Sequence, residues 1–219
     1  MSETSRQPAR LDFPMNSQRA STFVTINPDV LYFGTPVAVV STCNRDGTTN
    51  LAAMSSFWAL GDRFIIGLGS AGQTAENLAR TGECVLNFPS PDEWQGVEKL
   101  ASTTGKRDRQ PYHDAAGIRT VVQKFAVSGF ASVAAKEIAP LRVADCPIQV
   151  ETRVLARHVA TNQPALLYFE LRKLLVHVRE DLLDANGHVA IERWSPLFYV
   201  FRHYFGKGVR LGRSYRAQY

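Results

Sequence analysis

The 219-residue chain has only three cysteines, Cys43, Cys84 and Cys146, an odd number set far apart. They cannot supply a disulfide framework or a CxxC metal or redox pair, and their apolar surroundings point to small buried thiols. Long hydrophobic runs are missing too. No stretch approaches the ~20 apolar residues of a membrane-spanning helix, and the start MSETSRQPARLDFP lacks the apolar core of a secretory signal, so a cytoplasmic location is expected. The five histidines, His113, His158, His177, His188 and His203, show neither HxxxH nor HExxH spacing, which leaves no metal motif. GxSxG is absent, a Gly-Lys-Ser/Thr phosphate loop is absent, and no cysteine has an evident histidine partner. Nucleophilic catalysis therefore has no support in the sequence.

What is present is the composition of a folded globular chain, 45% hydrophobic and 21% charged, long enough for one full core. The net charge of +5 is a property of the C-terminal end: from Arg193 onward there are six basic residues and no acidic one, against 19 basic and 20 acidic elsewhere. Such a tail suits a polyanion, but a solvated arm or packing on a neighbouring subunit is preferred to nucleic acid. The reading divides the chain into a flexible arm over 1–20, one domain over 21–208 and a basic tail over 209–219.

Strand signals dominate. VAVVSTC (37–43) and TTNLAAM (48–54) flank Asn44-Arg45-Asp46-Gly47, whose Asp-Gly pair marks a hairpin. SSFWAL (55–60), FIIGLG (64–69) and ECVLNFP (83–89) follow, then FAVSGFASV (125–133), PIQVETRVLARHV (147–159) and ALLYFELRKLLVHV (165–178). In the PIQVETRV segment Ile148, Val150, Thr152 and Val154 alternate with Gln149, Glu151 and Arg153, which predicts one buried face and one wet face. His177 reads as a surface or interface residue. Short helices are expected at 74–80 and 94–103, and a long polar loop at 106–120. Many strands joined by short turns predict a closed antiparallel sheet, mainly β with short helices.

One turn carries chemical interest. GLGSAGQTAEN places Gly67, Gly69 and Gly72 before a helix start, where free backbone N–H groups and the helix dipole suit a phosphate. Ser70, Gln73 and Thr74 add donors. The competing reading is a plain turn capped by Ser70 with Gln73 as its capping-box partner. No βαβ alternation follows, which excludes a Rossmann fingerprint.

The flanks weigh against the plain turn. Asn50-Leu51-Ala52-Ala53-Met54-Ser55-Ser56-Phe57, then Gln73-Thr74-Ala75-Glu76-Asn77-Leu78, then Cys84-Val85-Leu86-Asn87-Phe88 resemble the flavin reductase-like family, a set of FMN-binding split β-barrels of antiparallel Greek-key type. Val97-Glu98-Lys99-Leu100-Ala101, Lys124-Phe125-Ala126-Val127-Ser128-Gly129, Cys146-Pro147 and Arg193-Trp194-Ser195-Pro196-Leu197 extend the likeness from about Asn27 to Gly208. The resemblance implies a homodimer holding FMN, with FAD as the alternative, and NAD(P)H as transient hydride donor. It implies either a flavin reductase, alone or serving a partner oxygenase, or else a flavoredoxin-like carrier, an oxidase or a non-catalytic flavin module. Carried over, Ser55 and Ser56 with the backbone of Ala53 and Met54 lie along the flavin, Gln73 and Thr74 bind its phosphate, Asn77 supports that turn, and Asn50 enters the lining strand. Two departures stand out: Met54 replaces a usual proline, and Gly72 replaces a usual basic residue. The phosphate thus needs a cation from elsewhere, with Arg80, a tail arginine or a partner residue as candidates.

Overall fold

The computed structural model describes residues 23–108, 114–115, 117–206, 208 and 210–213. The arm over 1–20, His113 and most of the tail over 209–219 lie outside the described residues.

The first half runs β1 (Phe33–Pro36), β2 (Ala38–Cys43), β3 (Thr49–Met54), β4 (Phe57–Leu60), β5 (Arg63–Gly69), α1 (Gln73–Thr81), β6 (Glu83–Phe88) and α2 (Trp94–Ala101). After it come β7 (Thr103–Thr104), β8 (Arg119–Thr120), α3 (Lys124–Ser128), β9 (Ser132–Val133), β10 (Arg142–Val143), β11 (Ile148–Ala160), β12 (Gln163–Val178), β13 (Phe198–Val200) and β14 (His203–Phe205). Seven strands form one antiparallel sheet in the order β3-β2-β6-β11-β12-β5-β4. Register breaks in the β11–β12 ribbon at Glu151/Thr152, Val154/Ala156 and Val159/Ala160 add local twist, and the sheet curls into the half-barrel of a split-barrel fold.

The Asp-Gly hairpin forms as the sequence predicts. Gly47 takes φ 82°, Asn44 N–H donates to Thr48 O at 2.8 Å, and the Asp46 carboxylate accepts the Thr48 hydroxyl at 2.6 Å. β2 is buried along nearly its whole length because it is covered on both sides. Val40 faces a core with Ile66, Leu78, Leu86 and Phe169 that α1 helps to close. Val39 faces a second core with Leu51, Val97, Leu100, Phe130 and Leu197, closed by α2.

Several expectations fail. The run over 125–133 is not one strand: α3 ends at Gly129, whose φ of 80° and N–H bond to Phe125 O at 3.0 Å cap a helical turn, and only Ser132–Val133 is extended. Alternation over so few residues fits one helical turn as well as a strand, and the left-handed glycine decides the matter. Nor does β11 have a wet face at its start. Gln149 and Glu151 are buried because the segment between α3 and β11 folds over them, while Arg153 stays exposed. Gln149 donates to Val143 O and Cys146 O, and the Glu151 carboxylate accepts Lys136 N–H at 2.8 Å and Glu137 N–H at 2.7 Å. His177 Nε2 lies 2.7 Å from the same carboxylate, so this histidine bridges inward instead of presenting itself at the surface. Cys84 and Cys146 are buried as expected, but Cys43 is half-buried. No helix among the described residues is long and apolar enough to cross a membrane.

Candidate functional site

β3 is an edge strand. On its outer side no backbone hydrogen bond is made among the described residues, so N–H and C=O groups remain free along Asn50–Met54. The first half of this edge borders a cavity of about 260 Å³ shared with Gly72, Gln73, Thr74, Thr103, Gly105 and Lys124.

α1 reaches this cavity with an uncapped N-terminus. Gly72 is its N-cap in extended conformation and no side chain caps the helix, so the Ser70 and Gln73 capping box is absent. Gln73 instead donates from Nε2 to Asn77 Oδ1 at 3.0 Å, and Asn77 Nδ2 donates to Thr42 Oγ1 at 3.1 Å and Asn44 Oδ1 at 2.9 Å. Asn77 thereby ties the helix start to the β2–β3 hairpin. The buried face of α1 carries Thr74 and Asn77 beside Ala75 and Leu78, two polar groups placed where an ordinary amphipathic helix has apolar ones.

Asn50 is 2% exposed; its Nδ2 donates to Thr74 Oγ1 at 3.1 Å, while its Oδ1 is buried with no partner. An unsatisfied buried acceptor costs about 1–3 kcal/mol. Room for a partner exists because residue 105 is glycine: an added Cβ would lie 2.5 Å from Asn50 Oδ1 and 3.0 Å from Gln73 Cγ.

Lys124 is a buried cation at this cavity that the sequence reading did not single out. It is 2% exposed and donates from Nζ to Thr103 Oγ1 at 2.5 Å, and among the described residues no carboxylate lies within 4 Å of it. Burial lowers its pKa from the ordinary 10.5 to about 8. A lysine among apolar neighbours in QKFAVSGF is the signal available in the sequence, but its burial depends on the helical turn that follows it. Three of the arginines considered for this role are engaged elsewhere. Arg80 donates to Cys43 O, Arg193 to Asp181 O and Leu183 O, and Arg210 to Glu192.

The second half of the edge, Ala53 to Ser55, borders another cavity of about 220 Å³ walled by Tyr32, Val97, Tyr199 and Tyr204. Ser56 lines neither cavity, since its hydroxyl pairs with Tyr32 OH at 2.9 Å and its carbonyl accepts Gly67 N–H at 2.7 Å. Of the residues singled out in the sequence, Asn50, Gln73 and Thr74 gather at one end of the β3 groove and Ala53, Met54 and Ser55 at the other. Asn77 stands behind the first group and Ser56 behind the second.

The curled antiparallel sheet is that of a split-barrel protein, and in it an uncapped helix start lies beside a free strand edge. Residues 30–208 match the flavin reductase like domain, and the chain belongs to that family. A Bacillus subtilis (strain 168) protein, the uncharacterized YdfE, is 36% identical over 204 residues, covering 93% of this chain and 99% of its own. Among solved structures, flavoredoxin of Desulfovibrio vulgaris (Miyazaki F) superposes with a TM-score of 0.74 at 19% identity, covering 90% of this chain and 99% of that one. Component B of nitrilotriacetate monooxygenase from Bacillus cereus superposes at 0.69 with 16% identity, over 89% of this chain and 100% of that one.

Proposed function

We propose that the β3 groove holds FMN and that the protein is an NAD(P)H-dependent flavin reductase of the cytoplasm, alone or supplying a partner oxygenase. The observation that carries this reading is the pairing, in one cavity, of an uncompensated buried lysine with an orphaned Asn50 Oδ1. The first suits a phosphate and the second a ribityl hydroxyl, which are adjacent groups in a flavin mononucleotide. In this reading Lys124, Thr74 and the free N–H groups at the start of α1 hold the phosphate. Asn50 accepts from the ribityl chain, and the open edge of β3 from Ala53 to Ser55 meets the polar rim of the isoalloxazine.

Bound flavin supplies two-electron redox chemistry, taking hydride from a nicotinamide and giving electrons to an acceptor. The chain's own contribution is to bind and orient. The tyrosines of the second cavity keep water from the ring, and Lys124 compensates the phosphate charge. Hydride transfer asks for no side-chain acid or base. Trp58, Leu60, Leu166 and Tyr168 are large hydrophobic side chains left exposed on β4 and β12, and they support a homodimer through that face.

Purification tests the reading. A yellow protein whose oxidised-flavin absorbance bleaches anaerobically with NADH or NADPH is expected, with FMN retained more tightly than FAD. A colourless protein that takes up neither flavin refutes it, and a yellow protein that does not bleach assigns the chain to the electron carriers.

A further inference from the structure

Away from the groove, a cavity of about 460 Å³ lies between α2 and the β13–β14 hairpin. Its walls are Trp94, Phe205 and Tyr204, with Arg202 and His203 at the rim. Trp94 is 44% exposed and Phe205 53%, so two aromatic surfaces stand open to a ligand. Arg202 is exposed, and among the described residues no carboxylate lies within 4 Å of its guanidinium. Glu98, the acidic group of the cavity, accepts a hydrogen bond from Tyr204 OH at 3.0 Å.

The turn that presents Arg202 is built against the grain of its sequence. Phe201 and Arg202 take φ of 45° and 68° in the two-residue loop between Val200 and His203, conformations normally left to glycine or asparagine. Phe201 is held there by its N–H bond to Tyr32 O at 2.8 Å and by an edge contact with Phe33 at 5.1 Å. A non-glycine residue kept in a disfavoured conformation at a cavity mouth points to a role for its side chain. The cavity also adjoins the groove. Tyr204 lines both spaces, and its ring leads from Trp94, at 6.2 Å, to Tyr199, at 5.4 Å, and on to Tyr32, at 5.4 Å.

We propose that the Trp94–Arg202–Phe205 cavity is a second binding site, for a planar aromatic anion that stacks on Trp94 or Phe205 and sets its charge on Arg202. The volume suits one small molecule, and arginine beside aromatic walls matches a flat ring bearing a carboxylate or phosphate. That such a ligand serves the redox site behind Tyr204 rests on the flavin reading; the binding itself does not. Two sources share this chemistry: the adenylate end of a nicotinamide dinucleotide and a free aromatic acid.

The test uses the full chain with ¹⁵N-labelled indole, titrated with AMP and separately with benzoate, the Trp94 signal being assigned through Trp94→Phe. Saturable movement of the Trp94 Nε1–H resonance is expected with one of them. AMP identifies the dinucleotide and benzoate the free acid. Arg202→Gln should weaken the effective probe at least about tenfold, the scale of one lost charge-assisted contact. Arg202→Gly should do the same, and because glycine suits φ 68°, loss of binding there cannot come from a misfolded turn. Failure of both probes to shift Trp94 at millimolar concentration, or full binding by both Arg202 variants, overturns the proposal. FMN uptake is followed in parallel: flavin lost with probe binding kept removes the flavin reading alone, and the converse removes the second site alone.

Discussion

Replacing Lys124 with methionine separates what this residue does for the fold from what it does for the ligand. Methionine keeps the length of the side chain and leaves the Thr103 hydroxyl its bond to Leu100 O at 2.8 Å. In the free protein the buried ammonium is a burden. With a pKa of about 8 folded and 10.5 unfolded, the unfolded chain binds the extra proton between those values, so wild-type stability rises with pH across that window and is penalised below it. The full penalty is on the order of 3 kcal/mol. Lys124→Met should therefore be as stable as the wild type or more stable at pH 7, and urea titrations should show the difference shrinking as pH climbs from about 8 to 10.5. FMN affinity should move the other way. Hydrogen bonds to charged groups contribute about 1.5–3 kcal/mol, which is roughly a ten- to hundredfold weaker dissociation constant, measured by fluorescence quenching of added FMN. Equal FMN affinity in the variant, or a large loss of stability at pH 7, would refute the assignment of Lys124 as the phosphate counter-charge.

Thr74→Ala should weaken FMN binding by about 1.5–3 kcal/mol, whereas Ser56→Ala should leave it nearly unchanged and lower stability by about 1 kcal/mol through its lost bond to Tyr32. Equilibrium dialysis and thermal unfolding of the two single variants check the contrast. Gly105→Ala drives a methyl onto Asn50 Oδ1 and should cost about 1–3 kcal/mol of stability as well as FMN uptake. Burial pushes the Glu151 carboxyl up, but the Lys136 and Glu137 N–H groups and His177 outweigh it and hold its pKa below the ordinary 4.5. Its stabilisation is thus present above that value and lost as pH falls through the lowered one, so Glu151→Gln should destabilise at neutral pH and converge with wild type under acid, as read by urea unfolding.

The strands were legible wherever two signals agreed. In the β2–β3 hairpin an Asp-Gly turn and apolar runs pointed the same way, and in the β11–β12 ribbon two long β-rich segments flanked a short turn at Thr161-Asn162-Gln163, of which the structure leaves Thr161 and Asn162 outside the strands. Legibility ended where burial came from distant chain. Nothing local to Gln149 and Glu151 says that the segment before β11 will cover them. Nothing local to Lys124 says that its ammonium will end on the Thr103 hydroxyl, at a cavity that Thr74, some fifty residues earlier, also lines. The groove itself was half legible, because Asn50, Gln73 and Thr74 sit in recognisable motifs while Thr103, Gly105 and Lys124 join them only through tertiary packing. Ser56 shows the reverse case, a motif residue that the fold spends on Tyr32.

The free edge of β3 has a consequence beyond ligand binding. A row of unpaired amides and carbonyls templates the addition of another strand as readily as it receives a heterocycle, and β3 itself carries no proline or charged residue to discourage such pairing. A bound ligand lying along that edge acts as a cover for it. The ligand-free chain is then the form most prone to self-association, and the yield of dispersed protein from cells should follow the supply of ligand during synthesis.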